Sequence, residues 1–248
     1  MESIFVYTIT TARRMHLLKK VLHSAKNNRG NLSVKFVICK NGTYSDKEFF
    51  DYDFELENLT KVTSSPGGHL SKALNRCTEE FGCEDYMLFI EDDFLIHTEN
   101  WLQKMVEQFN EIENCGSLGV RKHGYQRYND IPGFDKLNSD VFEVFWSDGI
   151  VLFDGAVWMD EELEWDEDLV GAGEVADLCN QISDLGFENW RMELDYSHYH
   201  ISGDRTGTNK WKYAEIDIDM PKANRILANK WKNSKNKKIQ KWLEYDSD

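Results

Sequence analysis

Between residues 4 and 120 the chain alternates short apolar, β-rich runs with segments of helical period, and no other feature constrains the fold as much. Residues 4–10 read as a first strand. Leu17, Leu18, Val21, Leu22 and Ala25 then recur at the spacing of one helix face within residues 14–26. A second strand over 34–39 is closed by the turn dipeptide Asn41-Gly42. There follow a short run at 61–64, a break at Pro66-Gly67-Gly68 and a helix over 69–81. A wholly apolar strand at 86–90, an amphipathic helix over 98–112 with Thr98 as candidate cap, and a strand at 117–120 complete this half. Such alternation predicts an α/β domain whose mostly parallel sheet is covered by helices. Ligands of these sheets sit beyond the carboxyl ends of the strands. Residues 10–14, 41–45 and 91–93 all fall at such ends, so topology alone gathers them on one edge.

The second half is less regular. Residues 122–140 are polar and turn-rich and read as a loop. Residues 141–146 and 150–153 read as strands, 173–186 as a helix, 189–194 as a strand, and 203–208 as a Gly- and Thr-rich loop. Charge is distributed unevenly over the chain. The net charge is −15, yet residues 221–248 carry eight Lys or Arg against three acids, which leaves −20 on the first 220 residues. An acidic body repels nucleic acid and anionic membrane, and any phosphate it binds needs positive charge brought to it.

With 248 residues the chain can bury roughly three quarters of its unfolded surface, so it folds without disulfides. Its five cysteines (Cys39, Cys77, Cys83, Cys115 and Cys179) fit neither a zinc site nor a disulfide framework, and reduced thiols point to a cytoplasmic protein. The apolar run at 4–9 has no basic flank and is too short for a leader or a membrane span.

The strongest chemical signal is the apolar strand Met87-Leu88-Phe89-Ile90 ending in Glu91-Asp92-Asp93. Clustered carboxylates repel one another unless a cation sits among them, and their oxygens suit Mg²⁺ or Mn²⁺. A diphosphate needs the same cation to offset its charge. Taken alone, the triplet is equally well read as a solvated acidic turn.

In the order of its motifs over residues 4–205 the chain resembles the GT-A glycosyltransferases, in particular the family-two and β-1,4-galactosyltransferase types. The stretch Thr10-Thr11-Ala12-Arg13-Arg14 with Leu17-Leu18 resembles the family's opening strand-turn-helix. Cys39-Lys40-Asn41-Gly42-Thr43-Tyr44-Ser45-Asp46 resembles its second-strand motif near the base, and Gly68-His69-Leu70-Ser71-Lys72-Ala73-Leu74-Asn75 its Gly-x-x-x-Ala-x-Asn helix. Glu91-Asp92-Asp93 stands at the Asp-x-Asp motif. Ser147-Asp148-Gly149-Ile150 resembles the acceptor-side strand, Trp165-Asp166-Glu167 the Phe-Asp-Glu stretch, and Gly171-Ala172-Gly173-Glu174-Val175-Ala176-Asp177-Leu178 the start of the acceptor helix.

The resemblance implies a Rossmann-like GT-A fold over residues 1–220, with a nucleotide-sugar half (1–121), an acceptor half (122–220) and a basic helical tail (221–248). It implies a donor site of Thr10, Thr11, Arg13, Arg14, Asn41, His69, Lys72, Glu91 and Asp92. Asp93 would bind the metal with a late histidine, His200 first and His198 second. These two flank Tyr199 and so share one face of a strand. Trp146, Asp148, Gly149 and Trp165 would line the acceptor side, and residues 202–210 would form a lid. Where the family has a Glu-Asp pair this chain has Glu174-Val175, and valine cannot accept a proton. Glu174 is therefore ranked as the base and Asp177, one turn on, as its substitute. The helix dipole lowers the pKa of a carboxylate at such a position and makes it a weaker base.

The function implied is metal-dependent transfer of a sugar, from a UDP-sugar first, to an acceptor hydroxyl on a carbohydrate or another molecule, with inversion if Glu174 is the base. Two other readings stand beside it. A nucleotidyltransferase shares the open sheet and acidic metal site, but residues 10–14 lack the glycines of its phosphate loop. A non-catalytic nucleotide- or sugar-binding module is kept open by Val175. The tail has three readings: docking on the acidic body, peripheral contact with an anionic membrane through its Trp and Ile/Leu side, or capture of a modified-DNA acceptor.

Overall fold

The computed structural model describes residues 2–10, 12, 14–41, 44–63, 70–122, 135–138, 140–147, 149–169, 173–199 and 220–245. In chain order the elements are β1 (Ser3–Thr10), α1 (Met15–Asn27), β2 (Ser33–Lys40), α2 (Asp46–Asp51), β3 (Leu59–Thr63), α3 (Leu70–Phe81), β4 (Tyr86–Ile90), β5 (Phe94–Ile96) and α4 (Trp101–Glu111). They continue with β6 (Cys115–Lys122), β7 (Val141–Glu143), β8 (Ile150–Asp154), α5 (Gly155–Asp160), α6 (Glu174–Asp184), β9 (Glu188–Leu194), β10 (Tyr196–His198), α7 (Met220–Trp231) and α8 (Lys237–Tyr245).

Among the described residues, eight strands form one sheet in the order β3-β2-β1-β4-β8-β6-β9-β7. The pairs β1–β2, β1–β4, β2–β3 and β6–β9 are parallel, while β8 runs against both β4 and β6, and β7 against β9. The sheet is thus mixed and mostly parallel. Strand alternation splits the core into two layers. Ile4, Val6, Leu88 and Ile90 point to the side that α1 and α4 cover. Phe5, Tyr7, Met87 and Phe89 point to the other side, where Ala73 and Leu74 of α3, Trp158 of α5, and Leu178 and Ile182 of α6 meet them. Helix α4 starts at Trp101 behind Asn100 in the left-handed region, not at Thr98. The Thr98 hydroxyl instead accepts from the Asp195 amide at 2.9 Å.

The basic C-terminal segment lies on the body. Ala223, Leu227, Trp231, Ile239 and Trp242 share a third core with Phe145, Leu169 and Ala176. Lys230 reaches Asp166 at 2.7 Å and Asp177 at 2.9 Å, and Lys238 pairs with Glu143 and, at 3.1 Å, with Glu188. The apolar side that would meet a membrane is therefore spent on the protein's own core. Among the described residues no helix is long and apolar enough to cross a membrane.

These pairs set a pH window for the docking. Burial pushes Asp166 up, but Lys230 and the Asp168 amide outweigh it and hold the carboxyl below 3.8. Burial pushes Lys230 down, but Asp166 and Asp177 outweigh it and raise the ammonium above 10.5. The Asp166 contribution is full above its unfolded value and is lost as pH falls through the lower folded one. The Lys230 contribution is full below 10.5 and is lost as pH rises through the higher folded one. On the other pair, burial of Glu143 outweighs Lys238 and raises the carboxyl, so that contact adds less. Hydrogen-exchange protection of α7 is expected to hold from about pH 4 to about pH 10 and to fall below and above that range. In Asp166→Asn the acid-side loss should flatten. An unchanged acid limb in that variant would contradict the assignment.

Candidate active site

Three parallel strand ends and two helix starts build one edge. Thr10 ends β1, and the chain turns through Ala12, held at φ 62 with its amide donating to the Thr10 hydroxyl at 3.0 Å. That turn delivers Arg14 at the head of α1. Asn41 follows β2, and its amide donates to the Thr10 carbonyl at 2.8 Å, keeping the first two strand ends together. Beyond β4 come Glu91, Asp92 and Asp93. Helix α6 enters β9 through a tight turn at Gly186 and packs on the sheet antiparallel to that strand. Because β9 runs parallel to β4, the first turn of α6, with Glu174, also lies toward this edge.

The acids are buried and organised. Asp92 and Asp93 are 8% and 5% exposed. Thr10 Oγ1 donates to Asp92 Oδ2 at 2.6 Å, and Arg14 forks across both carboxylates, reaching Asp92 Oδ1 at 3.0 Å and Asp93 Oδ2 at 3.2 Å. The same guanidinium donates to the Tyr199 carbonyl at 3.0 Å. On the other side, His198 Nε2 stands 3.5 Å from Asp93 Oδ1. His198 is brought there by the two-stranded sheet β5–β10, in which it pairs with Phe94 and stacks on its ring at 4.0 Å between centroids. Gly149, at φ 76, closes the same corner: its carbonyl accepts from the Glu91 amide at 2.9 Å, and a Cβ there would meet the Phe94 ring at 2.6 Å.

Burial raises the carboxyl of Asp92 above its ordinary value despite Arg14 and Thr10. The same burial acts on Asp93, but His198 and Arg14 outweigh it and hold that carboxyl below the ordinary value. Asp93 is thus kept charged. Ligand atoms of Glu91, Asp93 and His198 lie within 4.8 Å of one another. Two carboxylate oxygens and an imidazole at that spread fit a six-coordinate Mn²⁺ or Mg²⁺ with bonds of about 2.1 Å after small rotations. A second acidic group, Asp135, Glu143 and Glu188, already has the Lys238 ammonium on two of its members.

Several expected residues stand elsewhere. Trp165 does not line an acceptor cleft. It is 2% exposed in the core, edge-on to Phe89 and Phe153, and its backbone is held in both directions by the Asn75 amide at 2.9 Å. Asp177 is fully buried and engaged by Lys230, Trp231 and Gln181, which leaves it no opening to a substrate. Lys72 is exposed on α3, 3.8 Å from Glu167. Trp146 is half-buried beside the third core, with the Arg191 guanidinium 5.5 Å from its ring centre. Thr11, Arg13, His69, Asp148, His200 and the lid at 202–210 lie outside the described residues. Sequence reasoning missed the Phe94 stack and the Tyr199 carbonyl, neither of which leaves a pattern in three-residue strands.

No family model and no curated protein matches the sequence. Solved structures do. GalNAc-T7 with UDP, GalNAc and Mn²⁺ superposes with a TM-score of 0.64 at 13% identity, over 82% of this chain and 45% of that one. S. aureus TarS 1–349 gives 0.59 at 14% identity, over 97% of this chain and 68% of that one. A mannosyltransferase from Pyrobaculum calidifontis with GDP-Man and Mn²⁺ gives 0.59 at 13% identity, over 81% and 58%. The chain has the GT-A fold of the glycosyltransferases. It spans about half the length of GalNAc-T7 and about two thirds of the TarS fragment.

Proposed function

We propose that the protein is a metal-dependent glycosyltransferase that moves a sugar from a nucleoside-diphosphate donor, a UDP-sugar first, to an acceptor hydroxyl with inversion. The observation that carries this reading is the meeting of Glu91, Asp93 and His198 beside the Arg14 fork, at the ligand-binding edge of a GT-A sheet. The nucleotides and Mn²⁺ held by GalNAc-T7 and the mannosyltransferase support the same chemistry.

Glu91, Asp93 and His198 would hold the metal, which when bound would offset the charge of the donor diphosphate and stabilise it as a leaving group. Arg14 offers its guanidinium to the phosphates, and Thr10, through Asp92, keeps the acid pair in place. Asn41, whose amide is tied to the end of the first strand, completes the donor side. Glu174 takes the acceptor proton as the acceptor oxygen attacks the anomeric carbon from the face opposite the diphosphate. The bond from the anomeric carbon to the diphosphate breaks, and its electrons leave with the nucleotide. Gly149, whose carbonyl holds the Glu91 amide, lies on the acceptor side of this corner. A modified-DNA acceptor is the weaker choice, since Lys230 and Lys238 of the tail are spent on body carboxylates.

The test is a panel of UDP- and GDP-sugars with Mn²⁺, read as release of the nucleoside diphosphate. Slow release from at least one UDP-sugar, abolished by EDTA, is expected. Donor binding without release from any of them would replace this reading with a binding module.

A further inference from the structure

We propose that α7 is a clamp on the first turn of α6, with Asp177 and Trp231 as positioning residues for Glu174. The inference rests on the reading of Glu174 as the base. It reassigns Asp177, the other carboxylate of that turn, from proton acceptor to anchor.

Three of the first residues of the α6 segment are held from the far end of the chain. Gly173, the N-cap at φ 83, presses on α7 so closely that a Cβ would meet Leu227 Cδ1 at 2.9 Å and Ala223 Cβ at 3.7 Å. Ala176 is buried in the cluster that contains Ala223, Leu227 and Trp231. Asp177 has both oxygens filled: Oδ1 accepts from Trp231 Nε1 at 2.8 Å, and Oδ2 accepts from Lys230 Nζ at 2.9 Å and Gln181 Nε2 at 2.8 Å. With both oxygens already taken by these donors, neither is open to an acceptor hydroxyl. Asp177 is also 0% exposed, so no acceptor hydroxyl reaches it.

Glu174 stands three residues earlier, in the same first turn of α6. Displacing a reacting group by about 1 Å can cost on the order of a hundredfold in rate, so the clamp bears on turnover as well as on stability. Lys230, exposed and shared between Asp166 and Asp177, is the lesser member. Trp231 Nε1, bonded inside the core, is the greater one.

The experiment compares Asp177→Asn, Asp177→Ala and Trp231→Phe with Glu174→Gln, using UDP release from the best donor. For each, kcat, donor KM, UDP affinity in Mn²⁺ and Tm are measured. Asp177→Asn keeps the acceptor for Trp231, while Lys230 keeps Asp166, so kcat should fall no more than a few-fold. Asp177→Ala and Trp231→Phe should lower kcat about tenfold or more, with donor KM and UDP affinity within about twofold of the parent. Should Asp177→Ala fail to fold, Trp231→Phe decides alone. Asp177→Asn as inactive as Glu174→Gln makes Asp177 a base and overturns the clamp. So do normal kcat values in Asp177→Ala and Trp231→Phe, or UDP affinity falling in step with kcat. Near-normal turnover in Glu174→Gln, by contrast, removes the base reading itself, whatever the clamp variants do.

Discussion

Asp93→Ala is expected to abolish sugar transfer and to weaken Mn²⁺ binding by about a hundredfold or more. The residue sits at the centre of everything charged on this edge: Arg14 on one oxygen, His198 near the other, and Glu91 within ligating reach. Its burial at 5% exposure would favour a protonated acid, yet its neighbours hold it charged, which is the state a divalent cation needs. Removing the side chain takes away the carboxylate between Arg14 and His198 and leaves Glu91 and His198 as an incomplete ligand set. Metal affinity can be read by Mn²⁺ electron paramagnetic resonance without any substrate, and turnover by nucleotide release. Asp93→Asn should behave similarly, because the amide keeps the shape and loses the charge. Full activity of Asp93→Ala in the presence of EDTA would contradict the assignment.

Glu174→Gln should lower kcat roughly a hundredfold or more while leaving donor KM and UDP affinity near the parent values. Glutamine preserves the volume of a side chain that is 4% exposed, so the fold and the start of α6 are retained and only the proton acceptor is lost. A drop in UDP affinity of the same size would mean that Glu174 acts on the donor and not on the acceptor. Unchanged turnover would point to a retaining reaction or to a different base.

Most of the sheet was legible in the sequence because buried parallel strands are continuous apolar runs. Residues 4–10, 34–39 and 86–90 each announce themselves, and the three fall in register as neighbours. The antiparallel setting of β8 was not legible. Residues 150–153 read the same in either direction, and nothing in so short an apolar run shows that it enters between β4 and β6 opposed to both. Helix α2 carried a signal that went unused: Ser45 three residues before Glu48 is a capping pattern, and Ser45 does accept from the Glu48 amide at 3.3 Å.

At the site, the acid triplet was visible because three carboxylates after an apolar strand are costly without a partner. The identity of that partner was not. Arg14 lies 78 residues before Asp92, and His198 reaches Asp93 through two strands of three residues each, too short to show a period. Tryptophan misled for a related reason. Trp165 has the composition of a sugar platform and the environment of a core residue, and only the ring contacts with Phe89 and Phe153 separate the two. Asp177 likewise reads as a substitute base until α7 is seen to close over it.

The central claim is that Glu91, Asp93 and His198 hold a divalent cation that meets a nucleoside diphosphate at this edge of the sheet. A crystal of the full chain soaked with UDP and Mn²⁺ tests it most directly, with anomalous scattering to locate the metal. The account predicts one Mn²⁺ peak within about 2.1–2.3 Å of Asp93 and a histidine nitrogen, touching the diphosphate, with the Arg14 guanidinium turned toward a phosphate oxygen. UDP bound elsewhere on the chain, or bound at this edge with no metal on Asp93, would contradict it.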